Sequence, residues 1–131
     1  MDITGIKQSL TQLTLGLQYS SESDFPLLLS DWGQKSPAAV QKKITQACKN
    51  GKMISVAAPE FFGRCIQRLE RSSDVVLAAG AGRYKALYEF LVANSSSLEV
   101  WRCGTIRVDI YIVIKTENGH VLVLKTTAIE T

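Results

Sequence analysis

The residues able to carry chemistry are few and far apart. The chain has one histidine, His120, and three cysteines, Cys48, Cys65 and Cys103. A hydrolytic triad needs a base beside its nucleophile, and no Ser or Cys is paired with His120 by spacing. His120 is read as a solvated residue next to a hairpin turn. The cysteines are odd in number, widely spaced and include no CxxC, which argues against a disulfide framework and against a zinc site. They are read as small buried apolar residues. Carboxylates are scattered without DxD or HExxH spacing, so no metal site of the chain's own is expected. Gly80 and Gly82, in AAGAGRYKAL, hint at a phosphate loop, but neither GxxxxGK[ST] nor GxGxxG is present. Tyr84 and Lys85 read as helix residues, and close packing or a frayed helix start accounts for the glycines. These patterns point away from an enzyme and imply no cofactor.

The chemically densest stretch left is YSSESDFP, Tyr19 to Pro26. Ser20, Ser21, Ser23 and Asp24 form turns and caps, and Pro26 disfavours helix at Phe25. Glu22 is thereby placed in a loop between a first helix and a short strand at Leu27–Trp32. On composition alone it is a solvated loop carboxylate.

The elements around this loop follow from periodicity. Ile3, Ile6, Leu10, Leu13 and Leu17 are spaced 3, 4, 3, 4, one stripe of a helix capped by Asp2 or Thr4. Ser36-Pro37 starts a second helix with Val40, Ile44 and Ala47 or Cys48 inward, ending at Asn50-Gly51. Lys42, Lys43, Lys49 and Lys52 then point outward or lie past its end. Met53–Val56 reads as a strand. Pro59 opens a third helix with Phe62, Ile66 and Leu69 inward and Arg64, Arg68 and Arg71 solvated. After Ser72, Ser73 and Asp74, a helix from Val75 to Val92 turns Tyr84, Leu87, Tyr88, Leu91 and Val92 inward. Leu98–Cys103, with Trp101, is a further strand.

The last third carries the clearest strand signal. Ile106, Val108, Ile110, Ile112 and Ile114 form a β-branched row at strand period, with Arg107, Asp109, Tyr111 and Val113 alternating, so one face is expected to be core and the other partly polar. Asn118-Gly119 predicts a two-residue type I′ turn. Glu117 then faces His120, Ile114 faces Val123, Tyr111 faces Thr126, Asp109 faces Ala128 and Val108 faces Ile129. The second strand runs from His120 to Ile129, and only Glu130 and Thr131 follow it.

With 131 residues and 46% hydrophobic side chains, one domain over 1–131 is expected, burying about two-thirds of its unfolded surface. The sequence has no apolar run of membrane-spanning length, and MDITGIKQSL lacks the pattern of a signal peptide. A soluble, cytoplasmic protein, monomeric when free, is the expectation. The net charge of +3 is unevenly spread. Residues 1–34 set Lys7 against Asp2, Glu22, Asp24 and Asp31, whereas residues 35–71 set eight Lys or Arg against Glu60 and Glu70. Such asymmetry fits either a polar partner or a solvated helix face.

Two stretches together resemble one family. The loop fits SES(D/E)(F/Y)P, and the ending WRCGTIRVDIYIVIKTENGHVLVLKTTAIET fits R-x-G-x-(I/V)-x-(V/L)-D-(I/V)-Y-(I/V) with a final Glu-Thr. With the Phe61-Phe62 helix and the long helix between them, the chain resembles the nuclease A inhibitor family of small bacterial proteins. The resemblance implies an α/β fold, an α/β/α sandwich with a mostly antiparallel sheet and a long C-terminal hairpin, related to PR-1-like proteins. It also implies a protein partner, a magnesium-dependent sugar-nonspecific DNA/RNA nuclease whose active site is plugged by a loop glutamate and a terminal threonine. Those positions are Glu22 and Thr131, flanked by Ser21, Ser23 and Glu130, and they are expected to reach the partner's magnesium. The family's Asp-Trp pair before the long helix has no counterpart in LERSSD, Leu69 to Asp74, where Glu70 is a loose substitute. A competing reading keeps the scaffold without inhibition and binds protein or nucleic acid through the basic segment 35–71, with Lys42 and Lys43 contributing.

Overall fold

The computed structural model describes residues 2–48 and 51–131. The helix stop expected at Asn50 and the solvated Lys49 lie outside the described residues. Elements run α1 (Ile3–Thr14), β1 (Gln18–Ser20), β2 (Asp24–Pro26), β3 (Leu28–Gln34), α2 (Pro37–Ala47), β4 (Met53–Val56), α3 (Ala58–Glu70), α4 (Val75–Ala93), β5 (Ser97–Cys103), β6 (Arg107–Lys115) and β7 (His120–Ile129). The helix starts follow from local chemistry. Asp2 accepts from Gly5 N, Ser36 from Ala39 N, and Asp74 from Val76 N and Leu77 N, which satisfies amides that have no partner inside the helix.

A five-stranded antiparallel sheet in the order β3-β7-β6-β5-β4 divides the molecule into layers. On one face, Ile110, Ile112, Ile114, Leu122 and Leu124 pack against Ile6 and Leu10 of α1, Phe61 and Phe62 of α3, and Leu87 and Leu91 of α4. On the other, Tyr111, Val113, Val121 and Val123 pack against Val40 and Ile44 of α2. The result is a mixed α/β fold with helices on both sides of the sheet. Both faces of β6 are therefore core, not one core face and one partly polar face. Ile106 stands outside the strand and is 61% exposed. Val92, expected inward, is also exposed, whereas Leu17 is buried although it lies beyond the end of α1.

The β6–β7 register differs from the predicted one by a residue. Ile114 faces Leu122, Tyr111 faces Lys125, Asp109 faces Thr127 and Val108 faces Ala128. Gly119 N donates to Thr116 O and Thr116 N to His120 O, so the loop holds three residues, Glu117 to Gly119. Among the described residues only glycines have positive φ, and Gly119 does at +81°. That is the pattern of a turn followed by a left-handed glycine, whereas type I′ needs positive φ at Asn118 as well. An apolar pattern pins the register only where one face is polar, and here both faces are apolar.

Cys48 and Cys103 form a disulfide across 55 positions, with their Cα atoms 5.8 Å apart. This overturns the reading of three buried thiols. The end of α2 and the end of β5 meet only once α2 lies on the sheet, so spacing along the chain held no sign of it. Cys65 is free and buried, as expected. Gly80 and Gly82 lie inside α4, and neither marks a tight approach. A Cβ on Gly80 would meet Leu69 at an ordinary 3.8 Å, and one on Gly82 would meet nothing within 4 Å.

Candidate functional site

The YSSESDFP stretch is a small hairpin rather than an open loop. β1 and β2 pair with Tyr19 opposite Phe25 and Ser20 opposite Asp24, leaving Ser21, Glu22 and Ser23 at the tip. The hairpin is anchored from below. Tyr19 is buried and stacks on Phe61 with ring centres 5.7 Å apart, and Phe61 meets Phe62 edge to face. The guanidinium of Arg68 lies 5.1 Å from the Tyr19 ring centre, so this arginine, expected to be solvated, covers the anchor instead. Arg107 covers Phe25 in the same manner at 5.4 Å.

The tip is fastened to the end of β7. Ser21 donates twice to Ser23 O, from its amide at 3.1 Å and its hydroxyl at 3.0 Å. Its hydroxyl oxygen accepts from Ile129 N at 3.0 Å, and Glu22 N donates to Ile129 O. Past β7, Glu130 N donates to Ile106 O at 2.8 Å, while its carboxylate pairs with Arg102 of β5. Thr131 then meets Glu22 directly. The Thr131 hydroxyl lies 2.7 Å from both carboxylate oxygens, and Thr131 N donates to Oε2 at 3.1 Å.

Glu22 and Thr131, 109 positions apart in sequence, thus form one exposed cluster of three oxygens. These are hard donors of the kind that magnesium prefers. Among the described residues, no group of three or more His, Cys, Asp or Glu side chains could hold a metal ion. Ser21 and Ser23 shape the tip through hydrogen bonds to one another and to β7, and Glu130 stands directly behind Thr131. Glu70 is engaged elsewhere, 3.0 Å from Lys85 of α4, and no hydrogen bond joins it to Glu22 or Thr131. Arg102 was not singled out by the sequence, although it opens the R-x-G strand motif. Its partner Glu130 is 28 positions away, so their pairing had no local signal.

The remaining candidates fall outside this edge. His120 is no free turn residue, because its Nε2 lies 2.6 Å from Asp31 Oδ1 and Lys7 Nζ lies 3.0 Å from Asp31 Oδ2. Burial raises the Asp31 carboxyl, but the Gly33 amide, Lys7 and His120 outweigh it and hold it at about 2. Burial pushes the Cys65 thiol up to about 11, which keeps it protonated and weakly nucleophilic at neutral pH. The basic segment 35–71 is divided by the sheet, with Lys42 and Lys43 on α2 and Arg64, Arg68 and Arg71 at the α3 layer. Lys43 lies over Trp32 at 4.6 Å. No helix among the described residues is long and apolar enough to cross a membrane.

The sequence profile of a family described as nuclease A inhibitor-like protein matches residues 4–131. No curated protein matches the chain.

Proposed function

Because the chain belongs to the nuclease A inhibitor-like family, we propose that Glu22 and Thr131 together plug the active site of a magnesium-dependent, sugar-nonspecific DNA/RNA nuclease. Family membership implies nuclease inhibition as the general function and a protein as the partner. The observation that carries the finer reading is the contact of the Thr131 hydroxyl with both Glu22 carboxylate oxygens at 2.7 Å. A metal-bound phosphate presents closely spaced anionic oxygens, and this pair presents oxygens in the same way from a fixed support.

The support matters energetically. Ser21, Ile129, Ile106 and Arg102 hold the two donors before any partner arrives, so little ordering is left for the moment of binding. The inhibitor contributes ligands to the partner's cation without owning a metal, and it needs no reaction of its own. In place of an Asp-Trp pair, the start of α4 exposes Val75 and Val76, and Val76 lines a groove with Ser20 of the hairpin. That apolar surface adjoins the hairpin at Ser20 and suits a protein partner better than nucleic acid.

The test is titration of the nuclease with variant inhibitors. Glu22→Gln and deletion of Thr131 are each expected to weaken inhibition about a hundredfold while leaving the melting temperature in place. If Glu22→Gln inhibits as well as the wild type, the plug mechanism fails. A wild-type protein that does not inhibit such a nuclease removes the reading altogether.

A further inference from the structure

Beside Glu130 opens a cleft of about 420 Å³, bounded by α3, β4 and β5. Its apolar wall includes Phe61 and Ile54, and its charged lining consists of Arg64, Arg68, Arg102 and Glu130. Two of the three guanidiniums are neutralised in place. Arg64 pairs with Glu60 and Arg102 with Glu130. Arg68 has no ion pair among the described residues. Its guanidinium instead lies against the Tyr19 ring. The Tyr19 hydroxyl and the Cys65 thiol engage part of its N–H edge, which fixes much of its rotamer freedom and leaves the rest of its five donors for a planar anion.

We propose that this cleft is a receptor for a single carboxylate side chain of the protein docked on the Glu22–Thr131 edge, with Arg68 as its bidentate partner. The inference rests on the inhibitor reading for the identity of that protein. Charge favours a carboxylate on a protein over a nucleic-acid phosphate. The cleft has a surplus of one cation, whereas affinity for a polyanion grows with the number of phosphates neutralised. Glu130 in the lining repels a phosphate backbone, while one acidic side chain can enter past it. The apolar wall suits the methylene stem of such a side chain and leaves the head group to Arg68.

Two measurements test this. In the free protein, the arginine side-chain N–H resonances are followed during titration with acetate, and separately with inorganic phosphate and a short single-stranded DNA. Acetate is expected to shift Arg68 well beyond Arg71, which lies on the same stretch of chain outside the cleft. Equal shifts at both, or none, overturn the receptor. A DNA response centred on Arg68 at lower concentration than the acetate response overturns the assignment to a protein carboxylate. In the second measurement, Arg68→Gln is expected to weaken inhibition of the nuclease about tenfold or more. Arg71→Ala, which removes the same charge, should leave inhibition unchanged, and Arg68→Lys should recover part of the loss. Equal effects of Arg68→Gln and Arg71→Ala would mean general charge rather than a receptor. If the wild type does not inhibit, the inhibitor reading fails, while the acetate titration still decides whether the cleft accepts a carboxylate.

Discussion

Glu22 is a candidate because of what surrounds it rather than because of its own type. A glutamate between two serines is an ordinary loop residue. With Thr131 at 2.7 Å and Ser21 fastening the backbone to Ile129, it becomes half of an oxygen pair. Asp31 shows the same dependence on neighbours in a structural role. Its carboxyl is held at about 2, below the ordinary value near 4 that it has in the unfolded chain. A depressed folded value means that the bonds to Gly33, Lys7 and His120 contribute stability above pH 4 and lose it as the pH falls through 2. Asp31→Asn should therefore flatten the loss of stability between pH 4 and pH 2. Urea denaturation of both proteins across that range checks it, and identical slopes would remove Asp31 from the account.

At the scale of elements, turns control how the C-terminal strands present Thr131. Gly104, between β5 and β6, has φ +114°, and a Cβ there would lie 2.3 Å from Arg107 O. Gly104→Ala must move backbone as well as strain it, and a loss of about 2 kcal/mol or more is expected in urea denaturation. The same turn precedes Ile106, whose carbonyl receives Glu130 N, so the variant should also lose inhibition beyond what its stability predicts. At Asn118-Gly119 the sequence correctly marks a turn but not its length, because a left-handed glycine serves a three-residue loop as well as a two-residue one. The helices were easier to read. Their caps at Asp2 and Ser36, and their inward Leu10, Val40, Ile44, Phe62 and Leu87, depend on neighbours within a few positions.

For the whole molecule, the disulfide adds a covalent tie between two layers that also pack on each other. Cys48 ends α2 and Cys103 ends β5, so the bond ties the smaller helical layer to the sheet. Closing a loop of this length restricts the unfolded chain and is worth about 2–4 kcal/mol. Cys103→Ser should lower stability by that amount, and a reductant should destabilise the wild type similarly while leaving the variant unaffected. The same layering separates the basic segment 35–71, because Lys42 and Lys43 of α2 lie across the sheet from Arg64 and Arg68. A charge block that is continuous along the chain is thus not one binding surface.

The sequence by itself determined the helices, most strands and the two stretches that form the candidate site. Caps, helical stripes and strand alternation are local, and the SES loop and the closing Glu-Thr are motifs readable in place. The tertiary structure decided which distant groups meet. It set the β6–β7 register, which two apolar faces left open, and it joined Cys48 to Cys103 across 55 positions. It also stacked Arg68 on Tyr19 and brought Thr131 to Glu22 across 109. Such pairings follow from how helices settle on a sheet, a choice made by the packing of the whole core and written in no short stretch of the chain.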